Sequence, residues 1–239
     1  SGSTSRDGRR SCRRRRASRS EWGALPVFGL RRYLQRVNYP DTLFDLFMYP
    51  LEAVSLTKKR RDLMREVAGD VLELGAGTGV NLPYYDHRRV SSLTLSDLSV
   101  TERVSERARE FRRRAGFTNG AVRLVEADAL RLPFGDESFD TVVFTLVFCS
   151  VPDQEQALDE VRRVLRPGGR VVFIEHVRPH GAAKHLADAL NPAWHAATGE
   201  CNINRDTAAS IEAAGFRMDR LTSSGGSFLI DGIAVKPEL

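Results

Sequence analysis

Val71-Leu72-Glu73-Leu74-Gly75-Ala76-Gly77-Thr78-Gly79 is a short apolar strand running into three alternating glycines. Strand, glycine turn and helix start, in that order, belong to open α/β sheets that bind a ligand at the turn. The glycines permit a tight bend and let a ligand approach the backbone closely. The N–H groups of the helix start attract an anionic group. The third glycine is at 79 and position 80 is valine, so the spacing departs from the G-x-G-x-x-G dinucleotide fingerprint. A nicotinamide-dependent dehydrogenase is thereby the weaker reading. No G-x-x-x-x-G-K-[ST] occurs, which counts against a phosphate-cradling nucleotide hydrolase.

Downstream of the turn, strands and helices alternate. Ser92–Ser96 reads as a second strand, followed by a helix. Ser99 and Glu102 form a capping box for it. Val100, Val104, Ala108, Phe111 and Ala115 mark its buried stripe, and Gly116 ends it. Ala121–Glu126 is a third strand. Phe139–Leu146 is a fourth, apolar almost throughout, as a strand covered on both faces must be. Asp153 caps the next helix, and Pro167-Gly168-Gly169 turns the chain into a fifth strand, Arg170–Glu175. Phe216–Thr222 and Phe228–Val235 are joined by five small residues, too few for a helical crossover and right for a hairpin. The prediction is an α/β fold: a doubly wound, mostly parallel sheet with an antiparallel C-terminal hairpin.

Three acids stand at the ends of successive strands: Glu73, Asp97 and Asp128. A carboxylate at Asp97, 18 residues past Gly79, can accept two hydrogen bonds from a ribose diol. Asp128 lies on the same edge and can accept from an adenine amino group. A single acid at a strand end is usually a cap or a turn former. Three that converge on the ligand crevice of an open sheet point to binding.

The 239 residues carry a net charge of +5, which invites a nucleic-acid partner. Residues 1–20 hold eight of the arginines and one acid, Asp7, for +7. The remaining 219 residues carry 28 bases and 30 acids, so the body is near neutral and nucleic acid is disfavoured. The tail has almost nothing apolar and is expected to be disordered. Residues 22–49 differ sharply, with seven of the chain's 19 aromatics in 28 positions. Prolines at 26, 40 and 50 cut this stretch into short pieces, with helices expected at 29–37, 41–48 and 51–67. The division is thus a tail at 1–20, a helical lid segment at 21–68 and a catalytic body at 69–239. The lid segment caps the core edge, covers an apolar substrate or rests on a membrane as a peripheral contact. Three widely spaced cysteines (Cys12, Cys149, Cys201) show no C-x-x-C pair and no Cys/His cluster at ligand spacing. No metal is expected, and a sparse, odd set fits a reducing, cytoplasmic compartment.

Glu73-Leu-Gly-Ala-Gly-Thr-Gly79, Asp97-Leu-Ser99, Ala127-Asp-Ala129, Ser138-Phe-Asp140 and Leu165-Arg-Pro-Gly-Gly169 resemble the successive motifs of class I S-adenosylmethionine-dependent methyltransferases, in order and spacing. The resemblance covers about residues 70–176 and implies a seven-stranded Rossmann-like sheet ending in the hairpin. It implies S-adenosylmethionine as cofactor and S-adenosylhomocysteine as product. By the same resemblance, Glu73 and the glycine turn (Gly75, Ala76, Gly77, Gly79) would hold the methionine end. Asp97 would take the ribose, Asp128 with Ala129 the adenine, and Thr145 to Phe148 would pass beneath the reacting centre. Asn81, Leu98 and Thr145 are further candidate cofactor contacts.

Thr145-Leu-Val-Phe-Cys-Ser-Val151, Glu175-His-Val177, Asn191-Pro-Ala-Trp-His195, Gly199-Glu-Cys-Asn202 and Arg205-Asp-Thr207 carry a closer resemblance, to methyltransferase-like enzymes of alkyl thiols with a type 11 methyltransferase domain. It implies a small, apolar thiol as methyl acceptor. Those enzymes begin with an apolar membrane anchor, where this sequence has its arginine tail. The Tyr39-Pro-Asp41 neighbourhood matches quinone and lipid methyltransferases loosely, so N- or O-methylation of a phospholipid, quinone or other small molecule is the alternative. A pseudoenzyme, or a module contacting RNA or membrane through the tail, is the third reading. A thiol must become thiolate to react, and His176, just past the fifth strand, is the first candidate base, with His195 second. A satisfied ring that orders the strand end is an equally plain account of His176. Tyr39, Tyr49, Phe148, Cys149 and Trp194 are the candidate substrate contacts. A buried cysteine is usually only a small hydrophobe, and nothing in the spacing brings two thiols together.

Overall fold

The computed structural model describes residues 56–117, 121–198, 201–224 and 228–238. Seven strands form one sheet in the order β3-β2-β1-β4-β5-β7-β6. They are β1 (Gly69–Leu74), β2 (Val90–Asp97), β3 (Val122–Glu126), β4 (Phe139–Thr145), β5 (Leu165–His176), β6 (Arg217–Ser224) and β7 (Leu229–Val235). The first five are mutually parallel, with Leu72 beside both Thr94 and Val142. β7 runs antiparallel to both β5 and β6. The expected hairpin strands are therefore present.

Alternation along the strands builds two cores. Leu72, Leu74, Val142, Phe144, Val171 and Phe173 face one side. Val71, Leu93, Leu95, Val143, Val172 and Ile174 face the other. All twelve are 2 % exposed or less, so these strands are covered on both faces, as their apolar runs require. Helix α3 (Gln154–Val164) closes the first side through Ala157, Leu158, Val161 and Val164. Helices α1 (Thr57–Met64) and α2 (Glu102–Ala115) close the second through Leu63, Met64, Val104 and Ala108. Helices α4 (Ala183–Thr198) and α5 (Thr207–Ala213) lie between β5 and β6 in the chain.

Three boundaries differ from the sequence reading. Helix α2 is capped by Thr101, whose side chain accepts the Val104 N–H, and not by Ser99. Ser99 instead sits in the turn after β2, its N–H directed at the Asp97 carboxylate. β5 begins at Leu165 rather than Arg170, because Leu165 pairs with Phe139, and Gly168 and Gly169 bond to the backbone of Lys236. The division at 68/69 separates α1 from the body, yet Leu56, Leu63 and Met64 are buried against the sheet residues. The expected tail, the helices at 29–37 and 41–48 and the start of the one at 51–67 lie outside the described residues. Among the described residues no helix is long and apolar enough to cross a membrane.

The chain winds outward from β1 to β3, then returns to β4 on the opposite side of β1. The reversal opens a crevice outside the carboxyl ends of β1 and β4, where open sheets bind ligands.

Candidate active site

The glycine turn leaves β1 at this crevice. Gly75 has φ +65, and a Cβ there would sit 2.4 Å from Val147 Cγ2, so the turn rests directly on the loop after β4. Gly77 has φ +53 and nothing within 4 Å of its Cβ position, which leaves open space above the turn. The turn is tied to β2 by Ala76 N–H to Ser96 O at 3.0 Å and Gly77 N–H to Asp97 Oδ2 at 2.8 Å. Burial raises the Asp97 carboxyl above its ordinary range, against the hydrogen bonds that favour its charged form. Leu98 beside it is exposed. Asp128 is also exposed, its Oδ1 accepting the Leu130 N–H at 2.9 Å, and Ala129 is half-buried against the core. Both carboxylates and the open glycine turn lie on one sheet edge.

Beneath the turn the polar groups face one another. Glu73 is 1 % exposed; one oxygen accepts from Asn81 Nδ2 at 2.9 Å and the other from the Tyr85 hydroxyl at 2.7 Å. Asn81 also donates to Thr145 Oγ1 at 3.1 Å. Buried Arg60, from α1, donates to Thr145 Oγ1 at 3.0 Å and to Asn81 Oδ1. Burial pushes the Glu73 carboxyl up to about 7. Glu73, Asn81 and Thr145, all candidate cofactor contacts, are joined in a network beneath the turn, completed by Arg60 and Tyr85, for which the sequence carries no signal.

The loop after β4 is shaped by another buried acid. Leu146 adopts φ +59, a left-handed conformation costing on the order of 1 kcal/mol for a branched residue. Glu175, fully buried at the end of β5, accepts the N–H groups of Val147 (2.8 Å), Phe148 (3.0 Å) and Cys149 (3.2 Å). Burial pushes its carboxyl up to about 7, opposed by those three bonds. Phe148, a candidate substrate contact, has its ring wholly buried, 4.2 Å from that of Phe144.

The segment 201–206 docks onto this loop. Asn202 gives both its backbone N–H (2.8 Å) and its Nδ2 (3.0 Å) to Cys149 O. Arg205 donates to Phe148 O at 2.8 Å and to Val151 O. Asn191 of α4 accepts the Ile203 N–H at 2.8 Å and donates to Asn202 at 3.2 Å. Cys149, His176 and Cys201 thereby converge, their ligand atoms all within 4.8 Å of one another. Cys201 Sγ lies 3.6 Å from His176 Nδ1, and Trp194 bonds the same sulfur. Cys201 is held well below the usual thiol range, first by the hydrogen bond from Cys149 and then by His176 and Trp194. Cys149 is correspondingly held high by its bond to Cys201, its burial and the nearby Glu175. His195 is exposed on α4. The expectation that no two thiols meet is therefore corrected. The two cysteines are 52 positions apart in the chain, and the docking of Asn202 and Arg205 on the loop carbonyls brings them together. Cys201, Asn202 and Arg205 stood inside quoted motifs without a role, and Glu175 stood beside a candidate. Tyr39 and Tyr49 lie outside the described residues.

Residues 72–173 match the methyltransferase domain family. Over 176 residues the chain is 34% identical to the thiol S-methyltransferase TMT1A of Homo sapiens, covering 67% of this chain and 68% of that one. The chain belongs to the class I S-adenosylmethionine-dependent methyltransferases. Another relative of this methyltransferase is the phosphatidylethanolamine N-methyltransferase of Cereibacter sphaeroides, 35% identical over 148 residues, 61% of this chain and 70% of the relative. An S-adenosylmethionine-dependent methyltransferase from Mesorhizobium loti has the same fold, with TM-score 0.55 at 20% identity over 74% of this chain and 95% of that one. The cofactor is S-adenosylmethionine. The residues present suit it: an open cradle over Gly77, and the half-buried carboxylate of Asp97 on the same edge.

Proposed function

We propose that this methyltransferase transfers its methyl group to a small, apolar thiol. The observation that carries the reading is the convergence at the β4–β5 edge. The segments around 145–151, 175–177, 191–195 and 201–207 resemble those of thiol methyltransferases, and in the fold they meet around two sulfurs and an imidazole. The relative TMT1A, 34% identical over 67% of this chain, carries a thiol as acceptor in its name, which supports the same reading.

S-adenosylmethionine supplies an electrophilic methyl on a sulfonium, so the protein's part is mainly alignment. Gly75, Ala76, Gly77 and Gly79 would hold the methionine end from their backbone, with Glu73, Asn81 and Thr145 fixing the turn. Asp97 would accept from the ribose diol, and Asp128 with Ala129 would flank the adenine. His176, half-buried beside Cys201, would orient an incoming thiol or accept its proton. Trp194, 36% exposed, offers an apolar flank on the open side.

Mass spectrometry of products from labelled cofactor tests this directly. Alkyl thiols of increasing chain length should give methyl thioethers. Product from ethanolamine phospholipid with none from any thiol would reverse the assignment in favour of N-methylation, the activity named for the Cereibacter sphaeroides relative.

A further inference from the structure

We propose that Cys149, His176 and Cys201 form a binding site for a thiophilic divalent metal ion, zinc above all, with three protein ligands and one position left for an exogenous ligand. Two sulfurs and one imidazole nitrogen are the donor set that a tetrahedral zinc site takes. Their mutual distances, all within 4.8 Å, bracket one ion. With Zn–S at about 2.3 Å and Zn–N at about 2.0–2.1 Å, a tetrahedral S–N edge comes to about 3.6 Å. The observed Cys201 Sγ to His176 Nδ1 separation is 3.6 Å.

Each ligand is held by a separate element. Cys149 is fixed through its N–H by Glu175 and through its carbonyl by Asn202. His176 is the last residue of β5, in register with Leu229 of β7. Cys201 directly precedes Asn202, whose two hydrogen bonds anchor it. A thiol pair serving only as packing would not require an imidazole aimed at it from a third element.

Among the described residues no fourth Cys, His, Asp or Glu joins the group. Glu175, next to His176 in the chain, spends both oxygens on backbone N–H groups. Structural zinc sites are closed by four protein ligands, and catalytic ones keep a position open. Cys149 is buried while His176 and Cys201 are half-buried, so the cluster is reached from the side of His176 and Cys201. The site stands on this geometry alone; its role rests on the thiol reading. An acceptor thiol docking there forms a metal–sulfur bond as its S–H bond breaks. The electron pair stays on sulfur, and the proton passes to bulk water; with metal bound, His176 is a ligand and the metal takes over its part as base.

The test uses the full chain carrying Cys12→Ser, so that the distant third thiol cannot contribute. The reduced protein is stripped with a chelator and titrated with cobalt(II), which reports tetrahedral thiolate ligation by intense visible bands. One equivalent should produce the bands, zinc should abolish them, and Cys201→Ser and His176→Ala should each lose them. Circular dichroism and calorimetric binding of S-adenosylmethionine show that the variants are folded. No bands and no retained zinc in protein that binds the cofactor normally would overturn the site. Loss of two hydrogens by mass, with both thiols unreactive, would overturn it in favour of a disulfide. Cobalt ligation with no turnover of any alkyl thiol would keep the site and overturn its role in thiol activation.

Discussion

The two sides of the crevice are built on opposite principles. On the β1–β2 side, the groups that shape the ligand site come from short contiguous stretches: the glycine turn, Asn81 and Tyr85 just after it, and Asp97 at the next strand end. On the β4–β5 side, the groups come from 147–149, 175–176, 191–194 and 201–205, and meet only because Asn202 and Arg205 bond to the loop carbonyls. The proposed cofactor side uses nearby stretches of chain, while the proposed acceptor side is assembled from distant loops, and loops on a shared scaffold are where function varies. Each side also hides a fully buried glutamate whose carboxyl is pushed up to about 7 by burial. Glu73 bonds to side chains and braces a turn. Glu175 bonds to backbone N–H groups and braces a loop.

The largest expected effect is on the acceptor side. Glu175→Ala leaves three N–H groups without their acceptor, and a buried unsatisfied donor costs about 1–3 kcal/mol. Urea unfolding should show a loss of about 3 kcal/mol or more, and the Cys149 thiol should become accessible to alkylation. A loss under about 1 kcal/mol would mean the loop holds itself and the contrast between the two glutamates is empty.

Glu73→Gln sharpens the same contrast through pH. The folded carboxyl titrates at about 7 against an ordinary 4.5. Its contribution is therefore fully present below the unfolded value and is lost as pH rises through about 7. Glutamine removes that dependence. Without cofactor, the variant should exceed the parent in stability above pH 7, by up to about 3 kcal/mol at 1.36 kcal/mol per unit. The two should converge below pH 4.5, the ordinary value. Parallel denaturation curves at all pH would show that Glu73 is not charged against its burial.

Asp97→Ala is the smallest effect and the most selective. A hydrogen bond to a charged group is worth about 1.5–3 kcal/mol, so cofactor affinity by calorimetry should fall about 10- to 100-fold. Stability should change little, since Asp97 is only half-buried and its firm bond is to one N–H. Unchanged affinity would remove Asp97 from the ribose assignment.

The same division explains what could be read in advance. Strands β1 to β5 and the terminal pair were legible because apolar runs, glycines and caps are local signals. The Asp153 cap is one case, accepting the Gln156 N–H at 3.0 Å. The Thr101 cap was missed because Ser99 offered a capping box two positions earlier, and backbone geometry decided between them. At the site, the glycine turn and Asp97 lie at the strand ends where their local pattern puts them. The burial of Glu73 and Thr145 is not legible, since alternation along a strand does not say how far a polar side chain lies below the edge. The Cys149–Cys201 meeting was invisible because it depends on hydrogen bonds between loops about 50 residues apart. Spacing rules see only ligands that share a segment.

Arg60 sets a limit on how the chain can be shortened. It is 2% exposed and reaches from α1 to Asn81 and Thr145 under the glycine turn. A fragment cut at the start of β1 would keep every family motif and still lose Arg60, the cation that the described residues place beneath the turn. The smallest autonomous catalytic fragment must therefore start before Thr57, a dozen residues ahead of the first strand that the methyltransferase motifs announce.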